Sequence, residues 1–169
     1  DGLFVMGQIG EGVFVAERGQ LNMKRARVAS EKKMEECVVY VGPDVFFLLG
    51  HYHRFLLAIS QLVRKTNCTG SCALGLAGVA AGKIDALIQP AQCPWDWFAG
   101  LPLVEEAGGK VQFYHYRNGK IEFLDKPDLP SYSPVKRNTA FIAGEPKLVE
   151  ILCVLLANCW IPDAGAGEK

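Results

Sequence analysis

From Cys37 onward, short apolar runs rich in β-branched residues alternate with longer segments whose apolar positions recur at helical spacing, and few folds accept that alternation. The apolar runs are Cys37–Val41, closed by Gly42-Pro43, then Ile84–Ile88 and Ala140–Ala143. Between the first two, the spacing predicts a long helix capped by Asp44 and running to about Lys65. Its broad apolar face carries Phe47, Leu48, Phe55, Ile59, Leu62 and Val63. A second helix is expected from Ser71 to Ala81, stopped by Gly82. Its small residues Ala73, Gly75, Ala77, Gly78 and Ala80 permit close packing against a neighbour. A third helix is expected from about Asp96 to Gly108-Gly109 and a last one over Pro146–Ala157. Val111–Tyr114 and Lys120–Phe123 make a hairpin about Asn118-Gly119, and Pro127–Pro134 reads as a loop. Strands alternating with helices predict an α/β layered domain.

The first thirty residues fit that scheme poorly. Leu3–Met6, Val13–Ala16 and Leu21–Val28 read as strands, separated by the glycine-rich turn Gly7–Gly12 and by Gly19. No helix follows to cover them, and exposed strand edges of that kind need a partner. They read as the remnant of another sheet. The polar run 30–36 is the expected boundary, giving remnant strands over 1–30, an α/β domain over 31–161 and a frayed tail over 162–169.

Composition narrows the partners. With 18 basic and 18 acidic residues the 169-residue chain has no net charge, hence no general attraction for nucleic acid or anionic membrane. No apolar run approaches the roughly 20 residues that span a bilayer. The six cysteines form no Cys-x-x-Cys pair and several lie in apolar runs, which reads as buried, reduced thiols in a cytoplasmic protein. A metal site of Cys68 and Cys72 with His51 and His53 is disfavoured, because histidines two apart on a helix point to different sides. Lys24, Arg25, Arg27, Lys32 and Lys33 are interleaved with Glu31, Glu35 and Glu36, and read as a solvated mixed surface. Gly108-Gly109-Lys110 lacks the rest of a phosphate-binding loop.

Two segments carry candidate chemistry. Cys93-Pro94-Trp95-Asp96 places a carboxylate at a helix start, where it can accept backbone N–H bonds or hold a hard cation. Gly70-Ser71-Cys72 opens another helix, whose free N–H groups suit an anion or a hydroxyl-bearing ligand. Taken alone, each is more often a plain helix cap.

Taken together, in order and spacing, they resemble the inositol monophosphatase family. The resemblance runs from Gly10-Glu11-Gly12-Val13-Phe14, through Gly70-Ser71-Cys72-Ala73 and Lys83-Ile84-Asp85-Ala86, to Trp95-Asp96 with Ala99-Gly100, Glu106-Ala107-Gly108-Gly109 and the strand and helix at Phe141–Leu156. It implies an α/β layered sandwich of the inositol monophosphatase/fructose bisphosphatase type. It also implies a Mg2+-dependent phosphomonoesterase acting on a small phosphorylated polyol, sugar or nucleotide, commonly as a homodimer.

By that resemblance Asp96 is the catalytic metal ligand, and Gly70, Ser71 and Cys72 contact the substrate. Gln89 stands where inositol-specific members carry a glutamate; it brings hydrogen bonds but no charge. Its presence leaves fructose bisphosphate, a nucleotide 3′-phosphate or histidinol phosphate as other substrates. Asp85 and Glu106 read as structural, a turn residue and a helix-end partner. The family's remaining metal ligands, a Glu-Glu pair and an Asp-Pro-x-Asp-Gly-Thr/Ser block, belong upstream of the matched region and have no counterpart here. The expectation is therefore a truncated half, inactive alone. The alternative is a non-catalytic binding or interaction domain that keeps the fold without the metal centre.

Overall fold

The computed structural model describes residues 2–19, 22–68, 70–117, 120–127 and 139–161. Strands β1 (Leu3–Gln8), β2 (Gly12–Glu17) and β3 (Lys24–Ala26) form an antiparallel three-stranded sheet in that order. There follow β4 (Val38–Val41), α1 (Leu49–Leu62), β5 (Lys65–Asn67), α2 (Cys72–Ala80), β6 (Ala86–Gln92), α3 (Pro94–Trp97) and α4 (Gly100–Glu106). The chain continues through β7 (Lys110–Arg117), β8 (Lys120–Leu124), β9 (Thr139–Gly144) and α5 (Pro146–Cys159). The second sheet has six strands in the order β5-β4-β6-β9-β7-β8, with β4 parallel to both β5 and β6 and the other pairs antiparallel.

Alternation along the central strands builds two cores. Val39, Val41, Ala86, Ile88, Ala140 and Ile142 point to one face, where they pack with Tyr52, Phe55 and Ile59 of α1 and Leu148, Leu152 and Leu156 of α5. The intervening residues Leu87, Phe141 and Ala143 point to the other face and pack with α2 and α4. The small residues of α2 serve this second layer. A Cβ at Gly78 would lie 2.3 Å from Ile84 Cδ1, and one at Gly100 in α4 would lie 2.6 Å from Leu76 Cδ1. A Cβ at Gly75 would lie 2.9 Å from Leu87 Cδ1 of β6, so the close approach expected of that helix is realised against both β6 and α4.

Four expectations change. The helix expected from Asp44 to Lys65 is three pieces. Pro43–Phe46 is a 3-10 turn, α1 begins only at Leu49, and Lys65–Asn67 is a strand paired with Val38–Tyr40. Asp44 is no cap, because its carboxylate turns inward to Gln92. The tight turn leaves Phe47 85% exposed, and Leu62 is also exposed, so the buried stripe is narrower than the spacing suggested.

The helix expected from Asp96 is broken in two at Phe98-Ala99. Pro102 has no N–H for the Phe98 carbonyl and its ring would clash there, which forbids a continuous helix. The break is followed by a C-terminal cap at Gly108, whose φ of 86° is the left-handed value that glycine adopts without a Cβ penalty.

The strand expected at Ile84–Ile88 begins later and runs to Gln92. Ile84 is held on α2, its N–H bonded to Gly78 O.

The first sheet is not uncovered. Val5, Val13, Val15 and Ala26 lie on the face that packs against α2 and α4, and a Cβ at Gly7 would lie 2.8 Å from Leu103 of α4. Glu106, in the last turn of α4, accepts the Gly10 N–H at 2.9 Å, the partner role expected of it. The opposite face carries Phe4 and Met6, both exposed. The Asn118-Gly119 turn, most of the Pro127–Pro134 loop and the tail from 162 lie outside the described residues. Among the described residues, no helix is long and apolar enough to cross a membrane.

Candidate active site

The carboxyl ends of the parallel strands β4 and β6 lie side by side, where open α/β sheets commonly bind ligands. Gly42 follows β4 and donates its N–H to Ile88 O at 2.8 Å. A Cβ at Gly42 would fall 1.7 Å from Gln89 Oε1, so only glycine lets β4 pass this close to β6. Beyond it the 3-10 turn swings Asp44 back over the same spot.

β6 carries an irregularity there. Gln89 opposes Phe141 and Gln92 opposes Thr139, so two residues of β6, Pro90 and Ala91, face one of β9. Pro90 has no N–H to give the ladder, and an extra residue in one strand is how a sheet absorbs that loss. The bulge also resets the alternation. Side chains three apart would point to opposite faces of a regular strand, yet Gln92 Nε2 reaches Gln89 Oε1 at 3.3 Å. The same Nε2 donates to Asp44 Oδ2 at 2.7 Å. All three groups are buried: Asp44 is 7% exposed, Gln89 1% and Gln92 8%.

Helix α2 arrives at this floor by its first turn. Gly70 has φ 69°, and Ser71 caps the helix by accepting the Leu74 N–H at 3.3 Å. Cys72, the first helical residue, is buried. Burial pushes its thiol up to about 12, and the nearby negative charge of Asp96 pushes the same way, as Asp44 does more weakly. The Gln89 side-chain amide donates to the sulfur and acts in the opposite direction. A thiol so raised is protonated at neutral pH and is no nucleophile. Asp96 itself sits half-buried in the first turn of α3, behind Pro94, with its N–H on Cys93 O at 3.0 Å. Cys72 thus lies beside Gln89 and within reach of the Asp96 charge, with Ser71 and Gly70 exposed at the same helix start.

Two members of this site were missed in the sequence. Gln92 drew no attention, and Asp44 was read as a cap. The signal was Pro90, since a proline inside the run Ala86–Gln92 marks a bulge and a bulge brings residues i and i+3 together. Asp85, read as a turn residue, is a buried carboxylate that clasps Lys32 and the Val38 N–H.

Sequence and structure comparisons find relatives of this chain. The chain matches the inositol monophosphatase family over residues 2–150. It is 37% identical over 99 residues to a fructose-1,6-bisphosphatase/inositol-1-monophosphatase of Thermotoga maritima, covering 57% of this chain and 37% of that protein. It is 34% identical over 129 residues to the Nus factor SuhB of Pseudomonas aeruginosa, covering 72% of this chain and 46% of that protein. Among solved structures, Mycobacterium tuberculosis SuhB superposes with a TM-score of 0.68 at 22% identity, which speaks to the fold alone, over 92% of this chain and 54% of that one. The SuhB structure from Bartonella henselae superposes at 0.59 with 28% identity, over 88% of this chain and 53% of that one. The chain therefore spans less than half the length of those curated relatives and about half that of the solved structures.

Proposed function

The chain belongs to the inositol monophosphatase family, and on that premise we propose that it supplies the Asp96-bearing half of a magnesium-dependent phosphomonoesterase site. The substrate is a small phosphorylated polyol, sugar or nucleotide, not a nucleic acid or a membrane, and the working protein is a homodimer. What supports this reading is the place of Cys72, the first residue of α2, beside the Gln89 side chain at the ends of β4 and β6 and within reach of the Asp96 charge. In this reading the free N–H groups of that turn and the Ser71 hydroxyl hold the ester's oxygens, Gly70 lets them approach, and Gln89 forms the floor.

The donor set does not fit magnesium unaided. Among the described residues, no group of three or more His, Cys, Asp or Glu could hold a metal ion. Asp96 brings one carboxylate, whereas magnesium fills an octahedron of oxygens. The further ligands belong, in this proposal, to the part of the fold that the longer relatives possess, and the chain by itself does not turn over substrate.

A second reading is a binding or interaction domain that keeps the fold without catalysis. What favours it is that several relatives bear the name Nus factor SuhB, which is not that of a phosphatase. The deciding experiment is phosphate release from sugar, inositol and nucleotide monophosphates, titrated with magnesium, on this chain and on Asp96→Asn. The half-site reading expects no turnover from the folded chain, but phosphoester binding whose dependence on magnesium is lost in Asp96→Asn. Metal-dependent turnover abolished by that substitution would place a whole site within the chain. Absence of any phosphoester binding would favour the interaction domain.

A further inference from the structure

Backbone polarity along β1 is fixed at both of its ends. The Gly2 carbonyl accepts the Arg18 N–H at 2.8 Å, and the Gln8 carbonyl accepts the Glu11 N–H at 3.0 Å, both on the β2 side. In an antiparallel ladder, residues that bond to the neighbouring strand alternate with residues whose N–H and C=O turn away from it. Gly2, Phe4, Met6 and Gln8 therefore bond toward β2, and Leu3, Val5 and Gly7 present their main-chain groups to the outer edge. Among the described residues, β1 is the end strand of its sheet and no strand takes those groups. Edge strands are ordinarily blunted by charge, proline or a bulge. Leu3–Gln8 has no charged residue and no proline, and its register with β2 is unbroken.

That edge is complementary to itself. About a two-fold axis at Val5, antiparallel pairing sets Val5 opposite Val5 of a second copy and Leu3 opposite Gly7 of the second copy, and the reverse. Each of these pairs exchanges two main-chain bonds, and this is the one register that engages all three residues. It also sets Phe4 opposite Met6 of the second copy at the intervening positions, where facing side chains come closest. Phe4 and Met6 are 60% and 48% exposed, and within one chain they lie beside Ala16 and Phe14 of β2. Across the axis they complete an apolar row, Phe14-Met6 of one copy with Phe4-Ala16 of the other, and its two-fold mate. No charge on β1 opposes the approach.

We propose that β1 is the contact through which two copies of this chain join, merging their three-stranded sheets into one of six strands. The inference rests on the homodimer named above and supplies its interface. A strand pair covers little area, so the dimer is expected to dissociate in about the micromolar range.

Sedimentation of the full chain is expected to show a species of twice the 18.5 kDa chain mass that dissociates on dilution. Hydrogen exchange followed by NMR should find the Leu3, Val5 and Gly7 amides protected at high concentration and open at low. Val5→Pro removes an outward N–H and no bond to β2. It should keep the parent's circular dichroism while weakening the dimer roughly ten-fold or more, since two bonds across the axis are lost. Phe4→Lys is the second variant should the proline disturb β1, and the same weakening is expected from a cation set in the apolar row. Parent affinity in both folded variants overturns the β1 contact and leaves the homodimer standing. A monomer at every concentration, with the three amides open, overturns both. Protection of those amides only on addition of the amino-terminal half of a longer relative gives the edge to that half and overturns the second copy.

Discussion

The ammonium of Lys32 lies 2.7 Å from one oxygen of the buried Asp85 carboxylate, whose other oxygen accepts the Val38 N–H at 2.7 Å. One side chain thus ties the polar segment before β4 to the start of β6. Asp85→Ala leaves an N–H and an ammonium without this acceptor, for an expected loss of about 2–3 kcal/mol in urea unfolding. Lys32→Met is expected to cost about 1 kcal/mol, because that ammonium is one-third exposed and already screened by water. Equal losses for the two variants would mean that the backbone bond contributes nothing.

Stability is expected to fall as pH rises above about 9. Burial pushes the Cys72 thiol up to about 12 and the Cys153 thiol up to about 11 from an ordinary value of 9.0. It also raises the Tyr52 and Tyr114 phenols, which hydrogen-bond each other at 3.0 Å, from 10.0. Groups with a raised folded pKa keep a proton that the unfolded chain has released, so their contribution is complete below the unfolded value and is lost above it. A Tyr52→Phe, Tyr114→Phe double variant should show a shallower alkaline decline in thermal scans. An unchanged slope would exclude the phenol pair as its cause.

Gly42→Ala and Gly50→Ala should move stability in opposite directions. A methyl at Gly42 would collide with the Gln89 amide, for an expected loss of about 2–3 kcal/mol with the Gln92 and Asp44 bonds disrupted. One at Gly50, in the first turn of α1, meets nothing within 4 Å and should stabilise by about 0.5 kcal/mol through helix propensity. Circular-dichroism melts of the two variants suffice as the check.

Glu145 caps α5 by accepting both the Lys147 N–H at 3.1 Å and the Leu148 N–H at 2.7 Å, with Pro146 as the first helical residue. Glu145→Ala should cost about 1–2 kcal/mol, whereas Glu145→Asp should retain most of the cap. A neutral alanine variant would show that Pro146 alone fixes the helix start.

The residues themselves determined a good part of this protein. The apolar runs Cys37–Val41 and Ala140–Ala143 and Ser71 before α2 act over a few residues, and strands and helix starts answer to such local terms. The spacing of Gly70-Ser71-Cys72 from Trp95-Asp96 marked both segments, since a motif is legible wherever its parts are close in the chain. Tertiary structure alone decided the rest. Lys65–Asn67 leaves helical spacing because β4 offers it a ladder, and α4 reaches back over β1 and β2 across most of a hundred residues. Asp44, Gln89, Gln92 and Cys72 form one hydrogen-bonded floor only because a bulge at Pro90 and a turn at Pro43 aim them at one point. That convergence depends on backbone direction at separated places, which no single stretch of residues encodes.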